Sequence, residues 1–268
     1  MINLLKTDLF RVLRTKIVYI SLIIAVILPA FIVLVNGLTG MAITSIEPAA
    51  AANLKMGDSL ITSTFSPLTS FSYIFAVFPV IVIMMDFANG TLRNKIIHGY
   101  TRHQIYASHF IVTLIYVSVI TILHALTNVI GAFILGVSEV PSSIVSAYLI
   151  YYFVGFLGVI MVTSISSSLA LSLNNAGAVV LTIICVLFFN YVGNILGLIF
   201  QLNHVDNVYN LLCFFPSYYI DSLSTYMSGK TEPTLEGINI IGSVSGVLIV
   251  SGAFYALGTF TFNKKDFK

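Results

Sequence analysis

Apolar residues run along this chain in long blocks separated by short polar joints. One bilayer crossing by a helix takes about 20 mostly apolar residues. Blocks of that kind fall at 17–38, about 70–85, about 105–135, about 144–173, about 176–200 and about 238–262, and none holds Asp, Glu, Lys or Arg. The pattern predicts an all-α membrane protein with six transmembrane helices. The third and fourth blocks exceed a perpendicular crossing, so they tilt or continue past the bilayer. The first sixteen residues are different. At helical spacing Ile2, Leu5, Leu9, Val12 and Leu13 share a stripe, with Lys6, Arg11 and Arg14 off it. That predicts an N-terminal amphipathic interfacial helix; the alternative is a plain basic flank that sets orientation. The apolar run that follows, at 22 residues, is too long for the core of a secretory signal.

Composition agrees with the pattern. The chain is 268 residues, 58% hydrophobic and 8% charged, with a mean hydropathy of +1.01. A soluble domain carries about 25% charged residues. The whole length, 1–268, reads as a single transmembrane domain. The net charge of +2 says little, but its distribution orients the chain. With six spans, Lys6, Arg11, Arg14, Lys16, Arg93, Lys95, Arg102, Lys264, Lys265 and Lys268 fall on one side, and only Lys55 and Lys230 on the other. The positive-inside rule then predicts cytoplasmic termini, a cytoplasmic 86–104 connection, and extracellular segments at 39–69 and 201–236.

The 86–104 connection, "DFANGTLRNKIIHGYTRHQ", is heavily punctuated. Asn89–Gly90 ends the second span. Thr91 is the expected N-cap of a short helix over Leu92–His98, about 10 Å long, and Gly99 stops it. Thr101 with Gln104 forms a capping box that starts the third span. Leu92, Lys95, Ile96 and Gly99 can share one face, leaving Arg93 and Arg102 to reach a partner or a lipid phosphate. A simple anchor needs only the charges. The two turns predict a rigid element that presents a face to another protein.

The same stretch resembles the connection after the second span in type-2 ABC exporter permeases, in the branch that handles bacitracin, lantibiotics and related peptides. The matching positions are Asp86, Phe87, Gly90, Thr91, Arg93, Asn94, Lys95, Gly99, Thr101, Arg102, Ile105 and Tyr106. Asp86 stands where Glu is commoner, keeping the charge on a shorter arm. The likeness extends to the amphipathic start, the six spans, the long outer segment before the last span and the "FNKKDFK" ending. The resemblance implies a multi-pass protein of the bacterial plasma membrane. It implies that the short cytoplasmic helix, through Asp86, Gly90, Thr91, Leu92, Arg93, Asn94, Lys95, Ile96, Gly99, Thr101 and Arg102, couples to a cytoplasmic ABC ATPase. ATP and Mg would be bound by that partner and no cofactor by this chain. A second permease copy or a paralogue would complete the pore. The implied cargo is a hydrophobic or amphipathic peptide; a lipid or lipid-linked glycan is the alternative.

Other chemistry is sparse, and nothing points to nucleic acid. "SGKT" at 228–231 lacks the glycine five residues before Gly229 that a phosphate-binding loop needs. Cys185 and Cys213 have no metal or redox spacing. The uncharged spans weigh against a membrane-embedded enzyme and against an ion-coupled carrier or channel. His124 and Asn128, at i and i+4, read as an interhelical hydrogen-bonding pair or as part of a substrate path. Asn190 and Asn194, beside Gly193 and Gly197, suggest a broken span or a packing face that could join such a path. The hydroxyls of "SISSSLALS", 164–172, read as helix packing.

Overall fold

The structure is a computed structural model and describes residues 1–46, 77–134, 142–173, 177–202, 214–215 and 240–264. The regular structure among those residues is helical, with no strand among them. In chain order the helices are α1 (Ile2–Leu13), α2 (Lys16–Ile46), α3 (Val77–Ala88), α4 (Thr91–Ile97), α5 (Arg102–Ile134), α6 (Ser142–Leu173), α7 (Gly177–Leu202) and α8 (Ile240–Asn263). Among the described residues, α2, α5, α6 and α8 each contain a stretch long and apolar enough to cross a membrane; α3 is a shorter apolar helix. The chain is a helical membrane protein. The segments 47–76 and 216–239, Cys213, the "SGKT" run and residues 265–268 lie outside the described residues.

The capping box holds in both directions. Thr101 N–H donates to Gln104 Oε1 at 3.2 Å, and Gln104 N–H donates to Thr101 Oγ1 at 3.3 Å, so α5 begins where the pattern predicts. Several expectations are corrected. The helix of the first apolar block, α2, runs eight residues beyond 38, carrying Pro29 inside it. Thr91 does not cap α4: Gly90, left-handed at φ +64°, is the cap, and Thr91 is the first helical residue. A left-handed glycine turns the backbone without a side-chain acceptor, so the hydroxyl is not needed. Gly99, at φ +87°, stops α4 as expected. The fifth apolar block is unbroken: α7 is helical from Gly177 to Leu202, through Asn190 and Asn194.

The stripe of α1 is also rotated from the expected one. Leu4, Asp8 and Val12 are buried, with Leu5 and Leu9 half-buried against the core. Ile2 and Leu13 are exposed at 70% and 50%. Hydrophobicity alone places Leu5 and Leu9 at the centre of the apolar arc, but an ion pair described below pulls Asp8 inward and turns the helix with it.

Helices α2 and α5 pack together, and α6 lies between α5, α7 and α8. One core joins Val12, Val18, Ala25, Val82, Val112, Tyr116 and Val159. A second joins Leu4, Ile83, Leu92, Ile105, Tyr106, Leu171 and Phe262. Between α2 and α5, Ser21 and Tyr116 share a hydrogen bond. The serine run of α6 is buried, and each hydroxyl donates back to its own helix: Ser164 to the Ile160 carbonyl, Ser166 to Thr163, Ser167 to Ser164 and Ser168 to Ile165. These four hydroxyls are satisfied without a partner helix, which leaves a small, smooth surface for close approach, while Ser172 also shares a hydrogen bond with Thr261 of α8 at 2.6 Å. Large apolar side chains cover the outside, including Ile23, Ile27 and Phe31 on α2, Ile184 and Phe188 on α7, and Leu248 and Phe260 on α8. Such a surface suits hydrocarbon rather than water.

The closest approach is at Gly258. A methyl group there would collide with the Tyr106 hydroxyl and lie 2.9 Å from Ser168 Cβ. Gly258→Ala should therefore destabilise the fold by about 1–3 kcal/mol through overpacking, read as a lower unfolding midpoint in detergent. Gly252→Ala, with open space around it, is the control and should leave the midpoint in place.

Candidate functional site: a buried charge cluster at one end of the bundle

Where α1, α3, α4 and α5 meet, ionisable side chains converge in the protein interior. Asp8 of α1 is 1% exposed and Lys95 of α4 is 8% exposed. Lys95 Nζ lies 2.5 Å from Asp8 Oδ1, and Ser108 of α5 donates to Asp8 Oδ2 at 2.7 Å. Arg11, one turn after Asp8, donates to Asp86 at the end of α3 and lies 3.4 Å from Asp8. His109 of α5 closes the set. Lys95 Nζ is 3.0 Å from its Nε2, and its Nδ1 is 3.5 Å from Asp86 Oδ2. An ammonium only donates, so Nε2 accepts and the ring proton sits on Nδ1, facing Asp86. Two carboxylates, one ammonium and one guanidinium are thus gathered around a neutral imidazole, and the formal charge cancels.

Local sequence explains the convergence. Asp8 sits four residues from both Leu4 and Val12, so a helix puts it on the buried face. Gly90 turns the chain sharply after α3, which brings Lys95 back toward Asp86. Leu92, 1% exposed, drives α4 into the same core, and Lys95 follows one turn later.

Burial sets the electrostatics. It opposes ionisation of Asp8, but the Lys95 charge and the hydrogen bonds from Lys95 and Ser108 pull the other way, and the carboxyl is held below its ordinary range. Burial pushes the Asp86 carboxyl up to about 6, against the pull of Arg11 and Lys95. It also draws the Lys95 ammonium below its ordinary range, against the opposing pull of Asp8. The lysine is held charged by its partners rather than by water.

The residues expected to contact a partner divide into two sets. Asp86, Leu92 and Lys95 face inward, and Ile96 is half-buried; the predicted Leu92–Lys95–Ile96 face is turned to the chain's own core. Arg93 and Asn94 are exposed, together with His98 and Ile97, the last at 71%. Arg102 donates to the Asn263 carbonyl at the end of α8. Thr101 caps α5, and Gly90 and Gly99 make the turns. His124 is buried on α5, about 22 Å along the helix axis from His109 at 1.5 Å per residue. It is not part of the cluster. The side chains of Asn128, Asn190 and Asn194 lie outside the described residues.

Sequence reasoning missed Asp8, Arg11, Ser108 and His109. The available signals were an acid in the middle of an amphipathic stripe and a histidine inside an apolar run. No group of side chains suited to hold a metal occurs among the described residues. What the arrangement does is fasten four elements together.

The family model described as "Protein of unknown function (DUF2705)" matches residues 22–268. The chain belongs to the DUF2705 family. A comparison with curated proteins gives no match. Within the DUF2705 region lie Asp86, Lys95, Ser108 and His109; Asp8 and Arg11 precede it.

Removing one member of a buried ion pair leaves its partner uncompensated. Lys95→Met should destabilise the fold by about 3–5 kcal/mol, and adding Asp8→Asn should restore most of the loss because Arg11 and Asp86 still balance. The unfolding midpoints of the two variants in detergent check this. Asp86 also gives a pH signature. Its folded value, about 6, lies above the ordinary 3.8, so the stability it contributes is full below 3.8 and is lost as pH rises through 6. Relative to Asp86→Asn, the parent should lose stability between pH 4 and pH 7; parallel melting curves across that range would contradict the assignment.

Proposed function

We propose that the chain is the membrane subunit of an ATP-driven exporter, with six spans, both termini in the cytoplasm and α4 as its coupling helix. Two such subunits, identical or paralogous, would work with two cytoplasmic ABC ATPases that bind ATP and Mg. The uncharged spans suit a hydrophobic or amphipathic peptide as cargo, such as an antimicrobial peptide expelled in self-immunity or resistance.

The observation that carries this reading is the two-sided build of α4. One side is fastened inside the protein by Leu92 and by Lys95 on Asp8. The other exposes Arg93, Asn94, Ile97 and His98. Left-handed glycines mark both ends. A load on the exposed side therefore passes to α1, α3 and α5 instead of bending a loop. An exposed isoleucine between polar neighbours suits a groove on a protein partner. ATP-driven closure of the partner would shift the balance between two packings of the spans, provided the partner binds one packing more tightly.

Purification of the full chain from its own membranes in mild detergent tests the reading. An ATPase with a phosphate-binding loop should co-purify. Arg93→Glu with Ile97→Asp should reduce its recovery at least tenfold while the unfolding midpoint stays unchanged, because both side chains are exposed. Absence of any such ATPase, or peptide export unaffected by the double variant, would refute it.

A further inference from the structure

The charge cluster leaves the outside of α1 one-sided. Asp8 is the helix's one acid, and it is buried against Lys95 and Ser108. The bases Lys6 and Arg14 are exposed, and neither has an acidic partner among the described residues. Ile2, Lys6, Phe10 and Arg14 follow at four-residue spacing and so share a face, with Leu13 beside them. Ile2, Phe10 and Leu13 are 70%, 57% and 50% exposed. The Arg14 guanidinium stands 4.2 Å from the centre of the Phe10 ring. A second pair of this kind occurs at the end of α8, where Lys264 stands 4.0 Å from the Phe260 ring. That end is tied to the same region by Arg102 on the Asn263 carbonyl.

We propose that this outer face of α1 binds anionic phospholipid in preference to zwitterionic lipid. Lys6 and Arg14 take the phosphate, and Ile2, Phe10 and Leu13 enter the boundary between headgroup and acyl chain. The charge is complementary because the one carboxylate of α1 has been removed to the interior. A zwitterionic headgroup brings its own cation and gains less. The other face of α1 already packs on the core, so this one is left to the bilayer. The inference stands independently of what the chain transports.

The chain contains no tryptophan, so Phe10→Trp places a single indole on this face of the full-length protein. That variant is placed in phosphatidylcholine nanodiscs containing a minor fraction of brominated phosphatidylglycerol or, in parallel, brominated phosphatidylcholine. A basic residue near an anionic surface contributes about fivefold in binding. Brominated phosphatidylglycerol should therefore quench at least about fivefold more effectively at equal content. Lys6→Gln with Arg14→Gln should bring the two lipids to parity, whereas Lys6→Arg with Arg14→Lys should keep the preference. About 1 M salt, which cuts the screening length to about 3 Å, should also reduce it. Equal quenching in the parent, or a preference that survives loss of both cations, overturns the proposal. So does quenching by neither lipid, which would put protein rather than lipid against this face.

Discussion

A charge taken out of water must meet an opposite charge in good geometry, and this constraint shapes one whole end of the molecule. Lys95 and Asp8 are both interior, and each is tolerable only because the other is there. Their partners come from four helices, so none of the four can rotate or slide alone without stranding a charge. The pair does not need to add net stability to matter. Its effect is to select one arrangement of α1, α3, α4 and α5 among the many that apolar packing would accept.

The consequences run outward from there. Drawing Asp8 inward turns α1, which buries Leu4 and Val12 and leaves Ile2, Lys6 and Phe10 outside. Drawing Lys95 inward turns α4, which hides Leu92 and presents Arg93 and Ile97. Each helix therefore has an inner face set by charge pairing and an outer face set by what remains. Away from the cluster the logic changes. The serines of α6 satisfy their own hydroxyls, and Gly258 admits Tyr106, so helix contact there depends on small side chains and close approach. The two regimes suit their places: apolar surroundings give helices little hydrophobic reason to associate, while the charged end lies beside the polar joints.

Much of this was legible without coordinates. Long uncharged apolar blocks mark helices, and among the described residues four of these are long and apolar enough to cross a membrane. Gly90 and Gly99 mark turns because few other residues adopt the left-handed conformation there, and Thr101 with Gln104 marks a helix start. These are local rules, acting within a few residues, and they held for α4 and α5. The exceptions were also local competitions: Thr91 lost the capping role to the glycine before it, and Asn190 and Asn194 did not interrupt α7 because a helix tolerates single polar residues when its backbone bonds stay closed.

By itself the sequence determined the helices, their apolar character and the points where the chain turns, since these follow from residue type and spacing. Only the tertiary structure decided which way α1 and α4 face. The partners that decide it are distant: Asp86 lies 75 residues from Arg11, and Ser108 lies 100 from Asp8. No periodicity within a helix can announce such a pairing. It exists only once the chain is folded, when the low dielectric of the interior makes leaving any of these charges alone prohibitive.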